Sequence, residues 1–368
     1  LTLDNAHDVF SYQPITVSAA VTKGSFAIQN GITTFGTNTA GRSLGMAIER
    51  AGRATILRPG DHSTSPVAMI NPSSCFSVTG RVRFTFAGLQ ADPPTGNLNG
   101  FGSAYGTLVV STNTDGTSWE IGDQRQYELP TFGNADTPGI QPGTLSVTNA
   151  PLEYGAKCAT NNGVATITAA ANPVFQSLPT FVFNSAGYFV QDRPIATIST
   201  ANPDSNGYVG VIMPTAPLST SSIVAASYRG FVYEPSAPGI PATQPIRLDP
   251  HGSSLNGGVY PNDDPTGTSG TELTISLGAQ DSALYGVYPQ ATLTKSDPSG
   301  NCAVVNYNQG NATLRTGFDA NGIPTCTSQG VAVVGNPDGK YIIYFTALDG
   351  TSTDPDNAYV LQMYLYQQ

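Results

Sequence analysis

The chain has 368 residues, of which only 11% are charged, with a formal net charge of −10 and an unusual stock of 40 Gly and 28 Pro. Its 15 Lys and Arg form no cluster, which excludes both the counterion-displacing footprint of a nucleic-acid binder and an electrostatic grip on anionic lipid. No run approaches the ~18 apolar residues of a spanning helix, while 17 Tyr, 15 Phe and frequent Val and Ile runs exclude a disordered chain.

Residues 1–13 are polar and read as extended. Leu1 has no initiating Met, basic region or apolar run around it, so a mature or trimmed form is expected, its export signal and any lipid-bearing Cys removed. Runs 25–29 and 32–35 flank Asn30-Gly31, a two-residue hairpin signal because both turn positions need φ above zero. Residues 44–54 fit either a short helix or a strand pair at 46–49 and 54–57. In 81–86, Val82, Phe84 and Phe86 alternate with Arg81, Arg83 and Thr85, the pattern of a strand half exposed to water. A hairpin follows at 105–111 and 118–121, turning at Asp115-Gly116. The stretch 123–143 reads as a polar loop, and strand character resumes between 144 and 233.

Residues 235–270 carry prolines at 235, 238, 241, 245, 250, 261 and 265. Proline has no ladder donor, so this is expected to be the longest irregular segment. Short strands between 273 and 316 then lead to a closing meander. It comprises 331–334, the turn Asn336-Pro337-Asp338-Gly339, 340–347 and 359–366. In the last run Tyr359, Leu361, Met363 and Leu365 share one face, expected to be dry. Val360, Gln362, Tyr364 and Tyr366 share the other, expected to be wetter. No helical periodicity is expected past residue 60. The pattern predicts an all-β, antiparallel sandwich or barrel made of two packed β-units with long Pro/Gly-rich loops. The expected division is an N-terminal β-domain over 1–175 and a C-terminal one over 176–368, with a single large β-domain as the alternative.

Tyr and Gly recur together at strand starts: Tyr105-Gly106, Gly187-Tyr188, Gly207-Tyr208, Tyr228-Arg229-Gly230 and Tyr285-Gly286. The spacing is irregular, so the favoured reading is a glycine beside a packed aromatic, ahead of a duplicated unit. Four cysteines, widely spaced and even in number, predict two disulfides and an oxidising compartment. Of three connectivities, Cys75–Cys158 and Cys302–Cys326 are favoured because each stays in its own half.

Chemistry-bearing residues are few. Gly41-Arg42-Ser43-Leu44-Gly45 matches a nucleophile-elbow pattern but follows no buried strand. His7, His62 and His251 lie in polar or Pro-flanked stretches without metal-ligand spacing. Trp119 with Glu120 and Glu128 is the candidate binding group, since an indole stacks on sugar rings and a carboxylate pair serves glycosidic chemistry. Asp349, Asp354 and Asp356 are the candidate metal ligands, with calcium as the only cofactor expected and Asn262-Asp263-Asp264 as a second oxygen-rich turn. No catalytic residue is assigned.

The segments Gly187-Tyr188-Phe189-Val190-Gln191-Asp192-Arg193-Pro194 and 226–234, with Tyr228-Arg229-Gly230-Phe231-Val232-Tyr233 at its centre, resemble stretches of bacterial cell-envelope lipoproteins of unknown function. The resemblance implies an outer-membrane-tethered, periplasmic or surface location and brings no functional residue with it. The expected function is a non-enzymatic envelope protein that binds or displays through loops. A secreted carbohydrate-binding or carbohydrate-active protein and a barrel carrying a small apolar ligand are the alternatives.

Overall fold

A computed structural model of the chain describes residues 2–4, 9–12, 22–36, 45–50, 53–60, 62–63, 66–70, 80–91, 101–112, 118–127, 129–132, 140–141, 143, 145–148, 154–158, 164–170, 180–193, 206–233, 243–296, 306–307, 310–311, 313–349 and 359–368. The protein is all-β and antiparallel, as its composition predicts.

The first sheet is a meander of seven strands: β1 (Thr2–Asp4), β2 (Val9–Tyr12), β3 (Thr22–Gln29), β4 (Ile32–Phe35), β5 (Gly45–Arg50), β6 (Ala54–Pro59) and β7 (Val67–Ile70). Asn30 and Gly31 turn β3 into β4 with φ of 50° and 76°, the left-handed pair that the dipeptide predicts. The ambiguous stretch 44–54 resolves as the strand pair β5–β6.

The second sheet contains β8 (Arg81–Ala91), β9 (Phe101–Thr112) and β10 (Ser118–Tyr127). Two short strands, β11 (Thr131–Phe132) and β12 (Ile140–Gln141), leave it. It continues with β13 (Leu145–Thr148), β14 (Tyr154–Cys158), β15 (Val164–Ala170), β16 (Thr180–Phe183), β17 (Tyr188–Arg193) and β18 (Asn206–Ile212). Pairing runs β8-β9-β10-β14-β15-β16-β17-β18 and back to β8, which closes a ring, and β13 hangs on β10. The ring is thinnest where β15 meets β16, at Val164↔Val182 and Ala165↔Phe181. Residue 175 falls between these two paired strands.

A one-turn helix, α1 (Thr220–Val224), precedes the C-terminal sheet. That sheet holds β19 (Tyr228–Tyr233), β20 (Thr243–His251), β21 (Ser254–Val259), β22 (Leu273–Ser276) and β23 (Val287–Ser296). After the short pair β24 (Asn306–Tyr307) and β25 (Gly310–Asn311) come β26 (Thr313–Phe318), β27 (Pro324–Gly335), β28 (Ile342–Asp349) and β29 (Tyr359–Gln367). β23 pairs with β27, so β19–β23 and β27–β29 close an eight-stranded barrel, and β26 extends β27 outside it. β11, β12, β24 and β25 form a small sheet that joins the two halves of the chain.

Expected irregularity at 235–270 gives way to β20 and β21. Pro245 and Pro250 sit inside β20 because each falls where a donor is not needed. The Pro245 carbonyl accepts the Tyr260 N–H beyond the last paired residue of β21. Pro250 faces the β19 side, past the point where Tyr228 pairs with Leu248. α1 is a further departure from expectation. It is too short to show a period, and Ser219 caps it by accepting the Ser222 N–H.

Alternation places two cores and joins them through a third. Phe84, Phe86, Leu108, Val110, Phe189 and Tyr208 pack together inside the second-sheet ring. Leu248, Leu255, Ile275, Ala332, Phe345 and Met363 fill the C-terminal barrel, with Ile223 and Val224 of α1 among them. The intervening positions pack outward against one another. Ile48 and Ile56 of the first sheet, Tyr188 and Val211 of the second, and Val333 and Tyr344 of the barrel share one cluster. The face of β29 expected to be wet is therefore dry: Gln362 and Tyr366 are buried. Thr85 and Ala87 of β8 are likewise buried rather than facing water, whereas Arg81 at the strand end is exposed.

Candidate functional site

Glycines in or beside several of the Tyr-Gly recurrences mark close approaches. A Cβ on Gly106 would collide with the Arg125 carbonyl, and one on Gly210 with the Phe189 ring. On Gly230 it would strike the Tyr364 carbonyl. Tyr105, Tyr188, Tyr208 and Tyr228 are buried. These residues build barrels and do not form a site.

Charged side chains are used in the same way. On β5 the face Met46, Ile48 ends in Arg50, and on β6 the face Ala54, Ile56 ends in Arg58, so both apolar stripes finish in a cation. Arg50 reaches Asp338 in the β27–β28 turn with Nη2 at 2.9 Å and Nε at 3.2 Å. The other Asp338 oxygen accepts the Tyr188 hydroxyl at 3.4 Å. Arg58, wholly buried, donates Nη1 to Asp263 at 2.9 Å and to the Thr243 carbonyl at 3.0 Å. Asn262 and Asp263 hold φ of 56° and 58° to present that carboxylate, a conformation rare outside Gly and Asn/Asp. Asp264 binds the Thr266 N–H and hydroxyl, which hold its carboxyl below the usual range. The turn considered for calcium thus secures the first sheet to the barrel.

Near the Arg50–Asp338 tie the buried Tyr344 and Tyr366 hydroxyls face each other, and both side-chain polar atoms of Gln329 on β27 are buried without a hydrogen-bond partner. Burial pushes the Tyr188, Tyr344 and Tyr366 phenols well up from their ordinary value.

Of the candidate binding group, Trp119 and Glu120 are consecutive on β10, opposite Thr112 and Ser111 of β9. Consecutive strand positions belong to opposite faces, so β10 does not set them on one wall. Glu120 is half-buried, and Glu128 lies outside the described residues. Asp349 ends β28 opposite Tyr359, while Asp354 and Asp356 lie outside the described residues. Among the described residues no group of three or more His, Cys, Asp or Glu could share a metal ion. Gly45 opens β5, and the rest of the Gly41–45 motif falls outside. His62 is exposed in a turn and His251 is exposed at the end of β20.

Cys326 is buried on β27 and is disulfide-bonded; Cys75 and Cys302 lie outside the described residues. No free cysteine occurs among the described residues. The pairings Cys302–Cys326 and Cys75–Cys158 therefore stay expectations.

One charged group escaped the sequence reading. Arg229 of β19 stands directly opposite Arg247 of β20, with Asp249 two residues on along the same face. Asp249 ion-pairs Arg229 at 3.6 Å and accepts a hydrogen bond from Arg247 Nε. Desolvation pulls its carboxyl up, but the bonds from Arg247 and Ser227 outweigh it, leaving the group below the usual carboxylate range. The available signal was the alternation Arg247-Leu248-Asp249 in a stretch read as loop. No protein-family model, curated protein or solved structure matches the chain.

Proposed function

We propose that this chain is an exported cell-envelope protein, periplasmic, extracellular or tethered to the outer membrane, that binds or displays through its loops and performs no chemistry of its own. The observation that carries this reading is the state of the two ring interiors. Both are filled by the chain's own aromatic and aliphatic side chains, and α1 contributes to filling the second. A carrier barrel keeps an open apolar lumen and a spanning barrel a polar one; interiors packed this way suit neither role. The buried carboxylates Asp338 and Asp263 bind arginines of another sheet, which makes them supports and not an acid–base pair. Disulfide-bonded Cys326 accords with an oxidising compartment.

The test is fractionation of cells expressing the natural full-length gene product, with thiol alkylation before lysis. Recovery in the envelope fraction with all cysteines resistant to alkylation is the expected result. Recovery in the cytosol with four alkylated thiols would refute the reading.

A further inference from the structure

We propose that Arg229 and Arg247 form a binding site for a small oxyanion of the phosphate or sulfate type on the outer face of the C-terminal barrel. This goes beyond binding through loops, because the site is built on two strands. Side chains directly opposite on an antiparallel pair lie about 5 Å apart at Cβ, and like charges there repel. Arg229 and Arg247 occupy such a position. Among the described residues Asp249 is the counter-ion that both ion-pair.

The group leaves one buried donor and one buried acceptor unpaired, Arg229 Nε and Asp249 Oδ1. Arg229 is nine-tenths buried, and its Nη1 donates to the Tyr228 carbonyl at 2.7 Å. Its Nε has no partner. A buried donor left unpaired costs about 1–3 kcal/mol, and a tetrahedral oxyanion offers several acceptors at once to donors arriving from different sides. Arg247 keeps 42% of its side chain exposed, which gives a ligand its way in. The Glu272 carboxylate lies over Gly258, the partner of Arg247 on β21, where it accepts the Val259 N–H and makes no ion pair with either arginine.

The experiment follows thermal unfolding of the whole chain against inorganic phosphate, sodium sulfate and, at matched ionic strength, sodium chloride. A ligand that binds only the folded state raises Tm with its concentration. Phosphate and sulfate are expected to stabilise beyond chloride. Arg247→Gln should weaken the apparent affinity roughly tenfold. Asp249→Asn removes the competing carboxylate and should tighten it severalfold, a gain that a merely structural ion cluster would not show. A glycerol phosphate arm separates the sources: a stronger response to the ester assigns the site to a phosphorylated molecule, a weaker one to the free ion. Equal shifts in phosphate, sulfate and chloride for the wild-type chain overturn the proposal whatever the variants do. So does an unchanged response in folded Arg247→Gln.

Discussion

Arg58 shows how a single side chain can decide the placement of a whole sheet. Its guanidinium has no exposure to water and its Nε and Nη2 have no partner, so Asp263 is its one compensating charge. Asp263→Ala strands that charge in the interior and should cost about 3–5 kcal/mol, read as a drop in the urea midpoint at unchanged slope. Arg58→Met combined with Asp263→Asn removes both charges while keeping a residue that tolerates φ of 58°, and should recover most of the loss; a double variant as weak as the single one would show that the pair matters for more than charge. Asp319 gives a pH signature. Its carboxylate accepts the Ile323 and Asn321 N–H groups and the Ser296 hydroxyl, which hold its pKa below the ordinary value. The unfolded carboxyl takes up its proton first as pH falls. The stabilisation is therefore complete above about pH 4 and fades as pH drops through the lower folded value. Asp319→Asn should be less stable than wild type at pH 6, with the gap in Tm closing toward pH 2.5.

At the scale of elements, glycine and proline set what the strands can do. β19 crosses β29 so closely at Gly230, paired with Leu365, that a Cβ would run into the Tyr364 carbonyl. Backbone on both sides cannot swing aside as a side chain would. Gly230→Ala should therefore destabilise by about 3 kcal/mol or more, measured by equilibrium unfolding; a loss under about 0.5 kcal/mol would mean that β29 can shift at little cost. Pro245 and Pro250 teach the complementary lesson. A strand tolerates proline wherever its missing donor points past the end of a neighbour, and that depends on the register with β19 and β21. A proline count along the sequence carries no such information.

Across the whole molecule, the outward faces of both rings and one face of the first sheet share a core. Ties such as Arg50–Asp338 and the Asn184 amide to the Arg53 carbonyl at 2.7 Å reinforce it. Sheets joined by a common interior lose their packing together. Calorimetry should give one transition whose van't Hoff and calorimetric enthalpies agree, and removal of residues 1–70 should uncover that face and produce dye binding by exposed apolar surface. Two resolved transitions would mean that each sheet stands alone. The buried phenols add an alkaline limit. Tyr188, Tyr344 and Tyr366 stay protonated in the fold because burial disfavours the phenolate. An unfolded tyrosine ionises near 10, so stability is complete below about pH 10 and falls above it. Tyrosinate absorbance from these residues should appear in one step with loss of near-ultraviolet dichroism.

The sequence by itself determined the all-β class, the Asn30-Gly31 and 336–339 turns, and which residues alternate on each strand, because turn geometry and period two are local properties. It could pair Leu361, Met363 and Leu365 on one face of β29, yet it could not tell that Gln362 and Tyr366 opposite would also be buried. Only the tertiary structure decided that, since burial of the second face depends on a sheet formed far away in the chain. The same holds for Arg58 with Asp263 and Arg50 with Asp338, separated by about 200 residues or more. Neither partner carries a mark of the other until the barrel has closed and the first sheet has docked against it.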